Sequence, residues 1–404
     1  MNAMLPRFPA QSLPPWRRAV LKVGSSLLAG GEAGLGLRAG SPNGREDRTG
    51  SGLSTRHALG LAEFVRLSRA AGRELVIVSS GAVAAGRALL RQNGAERDSL
   101  AGKQALAALG QSQVIALWQR FFDVPVAQVL LTHDDLKNRR RYLNARATLR
   151  ELLRLDAIPV VNENDTVGVD ELKLGDNDNL AAMVAALIDA DLLLIASDVP
   201  GLYDADPRSR PDAAPMLAVE QITPAVLAMA GGAGSAHGTG GMLTKLQAAQ
   251  KAAEAGIATV LFPGSDAESV RALAGDRLHG TRFAPARSRL AARKHWIRHA
   301  PAAHGLVRVD AGAARALRDG RASLLPGGVI AVEGEFGRGD VIEIRGVDET
   351  SPLARGVAQY SAGEVRRIKG RHTREIEATL GYSYGENVVH RDDLVLTATD
   401  EVGA

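Results

Sequence analysis

The sequence predicts an α/β fold, an open and mostly parallel sheet sandwiched by helices, followed by a small, mainly β barrel-like domain. Three observations predict it. Short apolar runs ending in Gly, Ser or Asx clusters alternate with segments of helical spacing, which implies right-handed crossovers and a sheet covered on both faces. Beyond residue 302 the period shortens to strand candidates separated by Gly-containing turns. Finally, 404 residues are too many for one ordinary domain, so two or three are expected.

Composition narrows the class. Hydrophobic residues make up 45% of the chain, a globular value, and aromatics only 4%. A net charge of +4 neither demands nor excludes an anionic partner. The chain has no cysteine, so a disulfide framework, a thiolate zinc site and a cysteine nucleophile are excluded. This is compatible with a reducing cytoplasm, and a cytoplasmic location is expected. The apolar run 19–28 is interrupted by Lys22 and lacks the long uncharged core of a signal or membrane segment. No later stretch is apolar for long enough either, so a soluble protein with no membrane contact is expected.

Each element follows in order. Residues 1–17 are a Pro-rich, irregular N-terminal extension. Arg18-Ala-Val-Leu-Lys-Val-Gly-Ser-Ser-Leu27 reads as the first strand running into a Gly-Ser turn. Residues 30–54 form a Gly/Ser/Arg-rich insert with too little apolar surface to offset its ordering entropy, so a mobile loop is expected. Residues 57–70 carry helical apolar spacing at Leu59, Leu61, Phe64, Val65 and Leu67. Residues 74–80 are a buried parallel strand, 100–122 a helix, 124–131 a strand, 140–153 a helix and 157–161 a strand. A helix at 180–190, a strand at 191–198, a Gly-rich loop at 230–239, a helix at 246–255 and a strand at 257–262 complete the α/β region, 18–285. Arg287, Arg289, Arg293, Lys294 and Arg298 mark residues 286–301 as a basic helical linker. Residues 302–397 hold strands at 305–310, 329–332, 341–345 and 353–359, with one helix at 311–319.

The chemistry concentrates in residues 160–180, where Asn162-Glu-Asn-Asp165 and Gly175-Asp-Asn-Asp-Asn179 flank a polar excursion. Asx clusters compete with regular structure for backbone hydrogen bonds and favour turns and caps. Here they lie where a buried strand ends and a buried helix begins, which is where open α/β sheets bind ligands. The bland alternative is a pair of solvated turns, but turn chemistry rarely gathers so many acids and amides beside Lys173 and Gly175. Lys22, before a Gly-Ser turn, is either an exposed lysine or a phosphate ligand. Lys245 follows the Gly-rich loop near a helix N-terminus, which favours phosphate, although the Walker spacing is absent. A flexible loop with a solvated lysine is its alternative. Ser79-Ser80-Gly81-Ala82 suits a carboxylate or phosphate, and Val78 stands where a nucleophile elbow requires Gly. Asp204-Ala-Asp206-Pro207 fits a metal or an Asp-Pro turn equally well, and His237 carries no assignment.

Together, Lys22-Val-Gly-Ser-Ser26, Ser80-Gly-Ala-Val-Ala-Ala-Gly86, Leu143-Asn-Ala-Arg146 and the two Asx clusters resemble the glutamate 5-kinase branch of the amino-acid-kinase family. Gly201-Leu-Tyr-Asp-Ala-Asp-Pro-Arg208 and Gly238-Thr-Gly-Gly-Met-Leu-Thr-Lys245 complete the resemblance, which covers most of residues 18–285. Ser323-Leu-Leu-Pro-Gly-Gly328, Gly337-Arg-Gly-Asp340 and Gly356-Val-Ala-Gln-Tyr360 resemble a PUA domain, a fold known elsewhere for binding RNA. The resemblance implies phosphorylation of the γ-carboxylate of L-glutamate with ATP and Mg2+, the first committed step of proline biosynthesis. It also implies feedback inhibition by proline and a homo-oligomer, dimer or tetramer. By motif position, Lys22 and Lys245 hold the phosphates, and Asp178 orients both lysines and helps position the metal. Ser80, Asp165 and Asn177 then grip glutamate. Ser197, Asp198, Thr239, Gly240, Gly241, Met242, Leu243, Thr244 and Lys245 line the nucleotide, and Mg2+ is held mainly by the ATP phosphates. The family usually has Thr where Ser197 stands, and both residues keep a hydroxyl. Two alternatives remain open. Another kinase of this fold would act on aspartate, N-acetylglutamate or UMP. An RNA-binding protein is suggested by the basic linker and Arg366-Arg367-Ile-Lys369, but opposed by the scarcity of stacking aromatics.

Overall fold

The computed structural model describes residues 7–28, 53–90, 99–168, 177–207, 210, 212–230, 241–299, 303–320 and 322–397. The chain divides into two compact units, residues 1–136 with 145–286, and residues 137–144 with 287–404.

The first unit is built on strands β1 (Gln11–Ser12), β2 (Arg18–Val23), β3 (Glu74–Ser79), β4 (Val126–Leu131), β5 (Ile158–Glu163) and β6 (Leu192–Ser197). β7 (Ala218–Val219), β8 (Ala258–Pro263), β9 (Arg277–Leu278) and β10 (Thr281–Phe283) follow. Eight of these form one sheet in the order β4-β5-β3-β2-β6-β8-β10-β7. It is parallel except where β8 meets β10. β5, β6 and β8 are buried at every position, as their unbroken apolar runs require of strands covered on both faces. From β2 the chain adds β3 beside it, passes to β4 at the sheet edge, returns to fill the gap with β5, then crosses to the other side of β2 for β6 and β8. The carboxyl ends of β2, β3, β5 and β6 therefore border a topological switch point.

Helices α1 (Ser25–Leu28), α2 (Thr55–Ala70), α3 (Ala82–Leu90), α4 (Leu100–Gln119), α5 (His133–Lys137) and α6 (Arg139–Arg154) alternate with the first strands. α7 (Asn177–Leu187), α8 (Pro224–Met229), α9 (Met242–Glu254) and α10 (Ala267–Ala274) alternate with the rest. Ser54 and Ser99 cap α2 and α4 by accepting from backbone N–H groups of the first turn. α3 was not expected from sequence. Its run of small residues has no large apolar periodicity, and it forms because it packs on α4 through two glycines. A Cβ on Gly86 would stand 1.9 Å from the Leu106 carbonyl oxygen, and one on Gly110 would stand 1.9 Å from that of Ala82.

The expectation of an irregular N-terminal extension changes. Residues 7–17 of the irregular extension are anchored, with Phe8, Leu13 and Trp16 buried and β1 paired to β9. Most of the expected mobile insert, residues 29–52, lies outside the described residues, while Ser54 caps α2.

The second unit holds α11 (Arg289–His299), β11 (Gly305–Val309), α12 (Ala311–Arg318), β12 (Val329–Gly334), β13 (Val341–Gly346) and β14 (Ala354–Val357). α13 (Ala362–Ile368), α14 (Ile376–Leu380) and β15 (Leu394–Leu396) complete it. Its five-stranded sheet runs β12-β11-β13-β14-β15 around a core that includes Val307, Ile344, Tyr360 and Val365. The basic linker is helix α11 of this unit. Its Ile297 is buried with Val341, Val357 and Val395, and Arg293 pairs with Asp393.

Candidate active site

After Arg18, β2 runs apolar to Val23 except for Lys22, which is 5% exposed. A buried ammonium needs a partner, and it has one: Lys22 Nζ lies 2.7 Å from Asp178 Oδ1. Gly24 leaves it room, since a Cβ there would stand 3.3 Å from Nζ. Lys245, in the first turn of α9, reaches the other oxygen, with Nζ 3.3 Å from Asp178 Oδ2. Thr244 Oγ1 donates to the same oxygen at 2.8 Å. Asp178 is thus clamped by ammonium groups from a strand end and from a helix start. Burial opposes its ionisation, but the charges of Lys22 and Lys245, with hydrogen bonds from Lys22 and Thr244, outweigh that and bring its carboxyl down to about 2. Two ammonium groups converging on one carboxylate give a charge set that can take an anion.

α7 starts at Asn177, three positions before the apolar run that announces it in sequence. That extra turn places neighbouring side chains on different tasks. Asp178 meets the lysines, while Asn177 Nδ2 donates to Ser80 Oγ at 2.7 Å and to Asn162 Oδ1 at 3.0 Å. Asn162 Nδ2 in turn donates to Gln111 Oε1 of α4 at 2.8 Å. Asn177 Oδ1 and Gln111 Nε2 are buried with no hydrogen-bond partner among the described residues. Ser80 follows β3, whose last residue, Ser79, accepts from Trp118 Nε1 at 2.9 Å. Ser80 N donates to the Val23 carbonyl at 3.1 Å, tying the ends of β2 and β3 together.

Asp165 sits in the turn after β5, where burial and the nearby Glu163 carboxylate push its carboxyl up to about 6. His133 Nδ1 lies 3.7 Å from Glu163 Oε1. Ser197 is buried at the end of β6, and Ser197 Oγ donates to Asp198 Oδ1 at 3.2 Å.

Of the expected site residues, Lys22, Lys245, Thr244 and Asp178 share one cluster, and Ser80 and Asn177 share the next. Asp165 follows β5, while Ser197 closes β6 and Asp198 follows it, with β3 and β2 between the two strands. Gly241 is the N-cap of α9, and Met242 and Leu243 open that helix. Thr239, Gly240 and His237 lie outside the described residues. Asp204 Oδ1 accepts from Ala214 N at 2.9 Å, a turn contact. Sequence reasoning missed Gln111, which gives no signal inside a helix of mixed composition, and it assigned no task to Asn162 within its Asx cluster.

The arrangement can hold a polyanion on paired ammonium groups beside a polar pocket of hydroxyl, amide and carboxyl groups. The model of the amino acid kinase family matches residues 17–263, and that of the PUA domain matches residues 305–380. The chain is 66% identical over 379 residues to a glutamate 5-kinase of Xanthomonas oryzae pv. oryzae, covering 93% of this chain and all of that one. It is 63% identical over 393 residues to a glutamate 5-kinase of Xylella fastidiosa, covering 96% of this chain and 98% of that one.

Proposed function

The chain belongs to the amino acid kinase family, with a PUA domain behind the kinase unit, and from that premise we propose that it is a glutamate 5-kinase. It transfers the γ-phosphoryl group of ATP to the γ-carboxylate of L-glutamate, giving L-glutamyl 5-phosphate. The observation that carries the reading is the Lys22–Asp178–Lys245 clamp beside the Ser80–Asn177–Asn162 cluster.

The acceptor needs no general base, because a carboxylate of pKa about 4.3 is already ionised at neutral pH. Catalysis then reduces to alignment and to stabilising charge on a migrating phosphoryl group. Lys22 and Lys245 supply that stabilisation, and Asp178, ionised throughout the physiological range, keeps both directed at one point. Ser80, Asn177 and Asp165 hold the amino acid, and the open acceptor of Asn177 suits an ammonium donor. Ser197, Asp198 and the start of α9 line the nucleotide. Ammonium groups occupy both Asp178 oxygens, so the residues suit Mg2+ carried mainly by the ATP phosphates, where it would neutralise negative charge. Inhibition by proline, a dimer or tetramer, and a cytoplasmic setting belong to the same reading. No helix among the described residues is long and apolar enough to cross a membrane.

Trapping the acyl phosphate with hydroxylamine tests the proposal. ATP-dependent hydroxamate should form with glutamate but not with aspartate or N-acetylglutamate, and added proline should suppress it. Lys22→Ala and Lys245→Ala should each lower kcat by at least about a hundredfold, the scale of a lost oxyanion donor. Full turnover in both variants would remove the assigned roles.

A second reading concerns the C-terminal unit, where Arg338 lies 3.8 Å over the Tyr384 ring and Tyr382 and Tyr384 stand 5.2 Å apart, both more than 40% exposed. Such a group suits stacking of single-stranded RNA. Salt-titrated RNA binding by the full chain is its test.

A further inference from the structure

Residues 7–17 have no part in the mechanism above, yet they are tied down along their length. Gln11 and Ser12 pair with Leu278 and Arg277. Gln11 Nε2 donates to the carbonyls of Leu217 at 2.9 Å and Gly280 at 2.8 Å, and Leu13 N donates to that of Asp276 at 2.9 Å. Trp16 lies under the Arg73 guanidinium at 4.5 Å. At the other end Phe8 is 5% exposed and meets the Tyr203 ring edge-on at 5.2 Å.

The segment under Phe8 leaves directly from Ser197 and Asp198. It is held by Leu202 N donating to Thr281 Oγ1 at 2.8 Å, and by Met216 N donating to the Leu202 carbonyl at 2.8 Å. Gly201 is the seat of the ring. A Cβ there would stand 2.5 Å from Phe8 Cζ and 2.8 Å from Thr281 Oγ1. Only a residue without a side chain lets the ring and the loop approach this closely.

We propose that residues 7–17 form a strap, plugged by Phe8 into the Gly201 seat, that holds Ser197 and Asp198 in place for the nucleotide. Phe8 is then a positioning residue for ATP and not for glutamate. The inference rests on the nucleotide role of Ser197 and Asp198 given above. A loop that must be ordered when its ligand arrives loses affinity, and one ordered beforehand does not. Ser80 and Asp165 follow β3 and β5, away from the loop that leaves β6, so the effect is one-sided.

The test uses the full chain, with equilibrium binding of a non-hydrolysable ATP analogue and separate KM values for ATP and glutamate. Phe8→Ala should weaken analogue binding and raise the ATP KM by about tenfold, a loss of about 1.4 kcal/mol, while the glutamate KM stays at its wild-type value. Phe8→Leu, which refills much of the seat, should recover most of the loss. Gly201→Ala, which pushes the ring out, should reproduce it and decides the matter if Phe8→Ala does not fold. Unchanged analogue binding in Phe8→Ala, or an equal rise in both KM values, would overturn the strap. A wild-type chain that forms the hydroxamate without binding the analogue at Ser197 and Asp198, shown by analogue affinity unaltered in Ser197→Ala with Asp198→Ala, would overturn the nucleotide assignment instead.

Discussion

Asp165 and Asp178 are both buried carboxyls, yet their neighbours send them in opposite directions. Asp178 faces two ammonium groups and is held down to about 2, whereas Asp165 faces burial and Glu163 and is pushed up to about 6. The sign for Asp165 follows from its role. Below about 6 it is protonated and loses its attraction for the amino acid's ammonium group, so kcat/KM for glutamate should fall as pH drops through that value. The ATP term should not share this limb, because Asp178 stays ionised there. Glu163→Gln removes one of the two causes and should move the acid limb to lower pH. A limb at the same pH in that variant would mean Glu163 does not act on Asp165. Asp165 was legible from its Asx cluster, but its ionisation was not, because burial and the position of Glu163 are properties of the folded chain.

At the scale of elements, the central strands were legible because burial on both faces demands continuous apolar runs, as in β6 and β8. α3 was not, because its reason to exist is the glycine crossing with α4. Gly110→Ala would place a methyl against the Ala82 carbonyl at 1.9 Å and force the helices apart. It should cost about 1–3 kcal/mol in chemical denaturation. It should also raise the glutamate KM, since α4 carries Gln111 and α3 follows Ser80 directly. Wild-type stability in that variant would mean the crossing is looser than described. α7 teaches a related lesson. Apolar spacing marks its start at Leu180, but polar Asn177 and Asp178 form its first turn, held by Ser80 and Lys22 from the ends of β3 and β2.

At the scale of the whole molecule, 49 basic residues against 45 acidic ones leave too small an excess for general attraction to nucleic acid. RNA binding by the C-terminal unit would then draw on local groups, and Arg338, Tyr382 and Tyr384 form one such patch. Arg338→Ala with Tyr384→Ala should then abolish salt-sensitive binding by the full chain, and residual binding equal to wild type would dispose of that patch. Hydroxamate formation should be unaffected by the pair of changes.

By itself the sequence determined the class of fold, the central strands and the longer helices, the family, and the chemical types gathered at the strand ends. These depend on local apolar period and on motifs that are contiguous in the chain. Tertiary structure alone decided which of those groups meet. Lys22, Asp178 and Lys245 are far apart in sequence, and their clamp exists because β2, α7 and α9 converge at one end of the sheet. Contacts across the fold likewise hold Gln111 on Asn162 and Phe8 on Tyr203, and neither residue carries a local signal, because such a contact leaves no period in the sequence.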